Sequence, residues 1–192
     1  RAASASNVSW TLTGPTGTVR SLTFGTSDGG TLSSTFSPVL SLKPGTYQFT
    51  LSTSLTNQTY AFRLLDLDAA TVITPGTPVP PSGTLSLNPA NETDIYRLTK
   101  STPATTPEIY YFDIAALSPT ASGNVPIVRL LDPFNNHVQF SNPWAGLSIA
   151  GEFGNPANDP ELFTITQPGT YTVLLEGRIN NTGTRDYAFN IV

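Results

Sequence analysis

Thr164-Ile165-Thr166-Gln167-Pro168-Gly169-Thr170-Tyr171-Thr172-Val173-Leu174-Leu175 decides the fold of this chain. The Pro-Gly pair fixes one backbone angle and frees the next, as a tight turn requires. Tyr171, Val173 and Leu175 then recur every second residue, the period of a half-buried strand. The same pattern extends in both directions. Val8, Trp10 and Leu12, then Tyr47, Phe49 and Leu51, then Ile109, Tyr111 and Phe112 form further short apolar runs. Between them stand turn clusters such as Gly14-Pro15-Thr16-Gly17, Ser27-Asp28-Gly29-Gly30, Lys43-Pro44-Gly45 and Asp132-Pro133-Phe134-Asn135-Asn136. No window of helical length keeps a 3.6-residue period free of Pro and Gly, so almost no helix is expected. The pattern predicts an all-β fold, an antiparallel β-sandwich of jelly-roll-like units in tandem.

Laid over itself, the chain repeats. Leu40-Ser41-Leu42-Lys43-Pro44-Gly45-Thr46-Tyr47 returns as Thr164 to Tyr171, and Tyr60-Ala61-Phe62 returns as Tyr187-Ala188-Phe189. Asn7-Val8 followed by Leu12 and Pro15 returns as Asn124-Val125 followed by Leu130 and Pro133. Residues 1–66 therefore correspond to the second half of a unit whose full copy occupies 67–192. The chain holds about one and a half repeats. The Pro-dense stretch Thr74 to Gly83 reads as an extended connector or edge segment that opens the complete unit. Among the apolar residues, Trp10, Leu12, Tyr47, Phe49, Tyr96, Phe112, Leu130, Tyr171, Val173 and Phe189 are expected in the core.

Composition narrows the function. Only 11% of the 192 residues are charged, and the formal net charge is -4. Ser and Thr supply roughly a quarter of the chain, so hydroxyls and amides make the surface polar. Nine Lys and Arg, scattered singly, leave no footprint for phosphate backbones, so no nucleic acid is expected. No apolar run reaches the length of a membrane span, so no membrane insertion is expected either. With Arg1 first and no Met anywhere, the sequence is expected to be processed, excised or only partly observed. The absence of Cys removes disulfides and thiolate chemistry.

The complete unit resembles the bacterial pre-peptidase C-terminal domain. The resemblance is carried by an ordered set: Ala69-Ala70 through Gly76, Val79, Ser82, Gly83 and Leu85; Thr93-Asp94-Ile95-Tyr96-Arg97-Leu98; Leu130-Leu131-Asp132-Pro133-Phe134-Asn135; Pro168-Gly169-Thr170-Tyr171; and Tyr187-Ala188-Phe189-Asn190-Ile191-Val192. Residues 1–66 match only the family's second half. The resemblance implies a secreted, non-catalytic β-sandwich module at the cell surface or outside it, with a ligand that varies among members.

Catalysis is not expected. Gly25-Thr26-Ser27-Asp28-Gly29 has the spacing of a nucleophile elbow, but Thr31 to Phe36 alternate like a strand where that elbow needs a helix. His137 is the only histidine and reads as a surface residue at a strand end. Asp159 with Glu161, and Asp66 with Asp68, are paired carboxylates beside turns rather than across a cleft. Calcium is the more physical use of such oxygens, because a hard cation takes several of them from irregular backbone. Asn91, Glu92 and Asp94 form one candidate set, and Asp66 and Asp68 a second. Carbohydrate would need an exposed aromatic platform, for which Trp144, in Ser141-Asn142-Pro143-Trp144-Ala145-Gly146, is the candidate.

A sandwich must cover both of its sheets, and residues 1–66 carry about half the strands. The sequence is therefore expected to be a structural or adhesive repeat module, a stalk or a head-to-tail filament subunit, whose partners are neighbouring copies or domains of the same protein. The alternative is a polysaccharide- or fibrous-protein-binding accessory module of a secreted enzyme.

Overall fold

The computed structural model describes residues 8–24, 39–57, 60, 62–88, 92–118, 127–141, 162–176 and 183–192, and among these alternation and turn chemistry produce twelve strands. The chain divides into two compact units, Arg1–Leu64 and Leu65–Val192, two residues before the boundary expected from the repeat. The first holds β1 (Val8–Gly14), β2 (Gly17–Thr23) and β3 (Gln48–Thr53) as one antiparallel sheet in the order β2-β1-β3. The second holds β4 (Thr71–Val72), β5 (Leu85–Leu87), β6 (Thr93–Lys100), β7 (Glu108–Ser118), β8 (Ile127–Leu131), β9 (His137–Ser141), β10 (Leu162–Ile165), β11 (Gly169–Glu176) and β12 (Arg185–Ile191). These build a five-stranded sheet, β4-β6-β11-β8-β9, and a four-stranded sheet, β10-β7-β12-β5. Every ladder is antiparallel except the two-residue pairing of β4 with β6. The chain is all-β, as its patterning predicts. Among the described residues, helical structure amounts to short 3-10 turns such as Leu67–Ala69.

The second unit is a sandwich because both sheets turn their apolar parity inward. Tyr96 and Leu98 of β6, Val128 and Leu130 of β8, and Tyr171, Val173 and Leu175 of β11 form one buried cluster with Leu87, Phe112, Phe163, Ile165, Tyr187, Phe189 and Ile191 of the facing sheet. Phe189 lies at its centre, edge-on to Tyr96 at 5.2 Å and stacked on Phe112 at 4.6 Å. A fully buried side chain of this size contributes about 1.5–3 kcal/mol. Among the described residues this cluster, with Ile73 included, gathers fifteen such side chains, and the first unit's gathers Val8, Trp10, Leu12 and Phe24. Of the core residues predicted from sequence, Tyr47 and Phe49 are only half-buried against that smaller cluster, and the other eight are buried. On β7 the inward parity is even. Phe112 is buried and Tyr110 stacks on Phe163, while Ile109 is 68% exposed, so the alternation there runs one residue out of phase with an Ile109 start.

The Pro-rich stretch is an edge segment. Gly76 N–H donates to the Ile191 carbonyl at 2.7 Å, and Val79 exchanges two hydrogen bonds with Phe189, so the stretch continues the β12 edge along which β5 pairs.

One arrangement occurs in both units. β1 lies between β2 and β3 as β8 lies between β9 and β11. Leu12 pairs with Phe49 and Leu130 with Val173; Trp10 pairs with Leu51 and Val128 with Leu175. The hairpins share even their irregularity, a register shift between Leu12 and Thr13 and between Leu130 and Leu131, which leaves Val19 and Val138 as the extra residues. The incoming turns also match. The Tyr47 hydroxyl donates to the Lys43 carbonyl at 2.7 Å, and the Tyr171 hydroxyl to the Gln167 carbonyl at 3.0 Å. Gly45 and Gly169 lie against the rings of Pro15 and Pro133, where a Cβ would come within 2.5 and 2.8 Å of ring carbon.

Gly169 has φ +130° and meets the Pro133 ring, whereas Gly76, at φ +78°, has open space where a Cβ would stand. Gly76→Ala is expected to cost about 1–2 kcal/mol, the strain of positive φ alone. Gly169→Ala should cost about 1–3 kcal/mol more, because the proline ring must also move. Urea unfolding of the two variants measures the difference, and equal midpoints would show that the ring contact is unimportant.

Candidate functional site

Along β6 the even residues share one face, and Tyr96 and Leu98 bury it. Asp94 and Lys100 stand on the same parity at its two ends, so a carboxylate and an ammonium are carried toward the core and each must find partners there.

At the Asp94 end the partners are two phenols. The Tyr187 hydroxyl on β12 donates to Asp94 Oδ2 at 2.5 Å and lies 2.5 Å from the Tyr96 hydroxyl. Tyr187 has one proton and gives it to the carboxylate, so Tyr96 donates to Tyr187, and the chain Tyr96–Tyr187–Asp94 ties one sheet of the sandwich to the other. Burial raises the Asp94 pKa, the Tyr187 hydrogen bond opposes that rise, and Glu92 adds to it. Burial pushes Tyr96 up to about 12 and raises Tyr187 much further. Both phenols are therefore held protonated at neutral pH, and the trio latches the two sheets together.

At the other end the Lys100 side chain is fully buried. Its ammonium donates to the Thr102 carbonyl at 2.8 Å, the Pro103 carbonyl at 3.1 Å and the Thr102 hydroxyl, and it lies 3.6 Å from Glu108. Glu108 in turn accepts from the Thr102 and Tyr110 hydroxyls. These two bonds, with the lysine, lower its pKa, while burial and the adjacent carboxylate push Tyr110 up to about 12. The cluster fastens the connection from β6 to β7. A third polar contact is the buried ion pair of Arg129 with Glu176, on the face of β8 and β11 opposite the core cluster, where Thr172 and Leu174 are also buried.

The residues predicted as ligands serve mostly as ties of this kind. Asp66 caps the 3-10 turn, its Oδ1 accepting from Asp68 N–H at 3.0 Å, while the Asp68 and Ala70 carbonyls accept from Arg97. Glu92 accepts from Asn88 N–H and returns its own N–H to the Asn88 carbonyl at 2.9 Å, closing the turn between β5 and β6. Asp94 belongs to the latch. Among the described residues, no three carboxylate or imidazole side chains gather as a metal site would require. His137 opens β9, paired with Leu131. Asn91, Trp144, Asp159, Glu161 and Gly25 to Gly29 lie outside the described residues. Sequence reading missed the Lys100–Glu108 and Arg129–Glu176 pairs. Parity was the available signal for Lys100, which stands two residues from Leu98 and four from Tyr96.

Tyr187→Phe leaves both Asp94 and Tyr96 without their central partner and is expected to cost about 1–3 kcal/mol in urea unfolding at pH 7. The two carboxylates should act oppositely on acidification. Asp94, with its folded pKa raised, imposes a penalty when ionised that is relieved as pH falls through that raised value toward 3.8. Glu108, with its folded pKa lowered, supplies stability above its unfolded value of 4.5 that is lost as pH falls through the folded one. Asp94→Asn should therefore lose ground to the parent chain between pH 7 and 4, and Glu108→Gln should gain ground below pH 4.5. Parallel stability–pH curves for all three proteins would contradict this assignment. Compared with known proteins, the chain matches no family model and no curated protein.

Proposed function

We propose that this chain is a non-catalytic extracellular structural or adhesive repeat module, a stalk segment or a filament subunit built by head-to-tail repetition. The observation that carries the reading is the three-stranded arrangement present twice, with the same pairing, the same bulge and the same Pro-Gly contact. A chain that extends by repeating one unit is expected to carry such recurring arrangements. The side-chain chemistry agrees, since the buried polar groups described above are spent on ties between strands and turns. The resemblance to the pre-peptidase C-terminal domain and the hydroxyl-rich, weakly charged composition support an extracellular setting.

Electron microscopy and sedimentation of the purified chain test the reading. Extended particles or end-to-end assemblies, unchanged in Trp144→Ala, are the expected result. Retention on insoluble polysaccharide that Trp144→Ala abolishes, without change in particle form, would instead favour the accessory binding module.

A further inference from the structure

Equivalent positions in the two units differ most in what covers them. In the second unit β11 pairs with β8 on one side and along its whole length with β6 on the other, Tyr171 opposite Leu98, Val173 opposite Tyr96 and Leu175 opposite Asp94. β3 corresponds to β11 strand for strand, yet among the described residues it pairs only with β1. The aromatic residues that follow repeat the contrast. Tyr187 and Phe189 are fully buried, with Tyr96 of β6 over them and Phe112 of β7 alongside. Their counterparts Tyr60 and Phe62 remain 50% and 36% exposed, although they gather with Phe24 and Phe49 at centroid distances of 4.8 to 6.4 Å. Leu42, Leu55 and Leu64 add further exposed apolar surface to the same unit. An edge unpaired among the described residues, beside a half-exposed aromatic face, is a template for an added strand.

Resting on the reading of the chain as a repeat module, we infer that the β3 edge is a strand-acceptor site whose occupant is an antiparallel segment of β6 chemistry, Asp-x-Tyr-x-Leu. The β6–β11 register fixes the fit. The leucine stands opposite Tyr47, the tyrosine opposite Phe49 against the Phe62 ring, and the aspartate opposite Leu51, where it accepts from the Tyr60 hydroxyl as Asp94 accepts from Tyr187. Main-chain hydrogen bonds give the pairing its affinity, and these three side chains give it specificity.

The probe is a synthetic peptide of residues 92–113, which carries β6 and the start of β7, added to the intact chain and followed by hydrogen exchange with mass spectrometry. Slowed exchange at 48–53, saturable in peptide and at least tenfold weaker for a peptide carrying Tyr96→Asp and Leu98→Asp, is the expected result. Because the changes lie in the peptide, folding of the chain is not at risk. No protection at 48–53, or equal protection by both peptides, would overturn the inference. Assemblies seen by microscopy with 48–53 still unprotected would also overturn it while leaving the structural role intact. Peptide protection without assembly would uphold the acceptor edge and count against the filament.

Discussion

The structure depends on covering the aromatic face of β12. Tyr187 and Phe189 are large and lie on one parity, so a sheet carrying them is stable only beneath a second layer. That layer is β6, which brings Tyr96 edge-on to Phe189 from the opposite sheet, while β7 brings Phe112 alongside. Once these rings are seated, the β6–β11 register and the β7–β12 ladder follow, because a one-residue slip in either would carry a large ring into water.

Placing β6 centrally has a polar consequence. A strand with Tyr96 and Leu98 inward also carries Asp94 and Lys100 inward, and each must be satisfied at the end where the core thins out. The two solutions differ. Asp94 reaches across the sandwich to Tyr187, so its bond forms only when both sheets are in place. Lys100 bonds to the turn that follows it, so its contacts are local and fix how the chain leaves β6 for β7. A polar group left unpaired at either end would cost more than its bond contributes, so both ends favour the one register in which all the partners meet.

Most of the architecture was legible because alternation and turn chemistry are local signals. Trp10, Leu130, Tyr171 and Phe189 declared themselves core by period two, and Pro-Gly pairs marked the entries to β3 and β11. The run Ile109-Tyr110-Tyr111-Phe112 misled because four consecutive apolar residues fit either parity, and only pairing with β10 and β12 selects one. The site was less legible. The phenol partner of Asp94 could not be read from sequence, which shows a carboxylate's neighbours along the chain but not the hydroxyl that reaches it from a residue 93 positions away. The ties of Arg129 to Glu176 and of Tyr96 to Tyr187 are similarly long-range and carry no local motif.

The paired units separate what a residue is from what its surroundings make of it. Tyr60 and Tyr187 share a place after the Pro-Gly turn and a following Ala-Phe, yet one is half exposed and the other fully buried. Side-chain hydrophobicity cannot account for the difference, but position can: Tyr187 stands within β12, paired with Leu117 of β7 and Leu85 of β5, whereas Tyr60 lies outside the strands of the first unit. What differs is what flanks and covers the two rings. Burial here belongs to the strand neighbourhood and not to the motif. A three-stranded arrangement can therefore keep its pairing while its aromatic face remains open to whatever strand the sequence around it, or another chain, supplies.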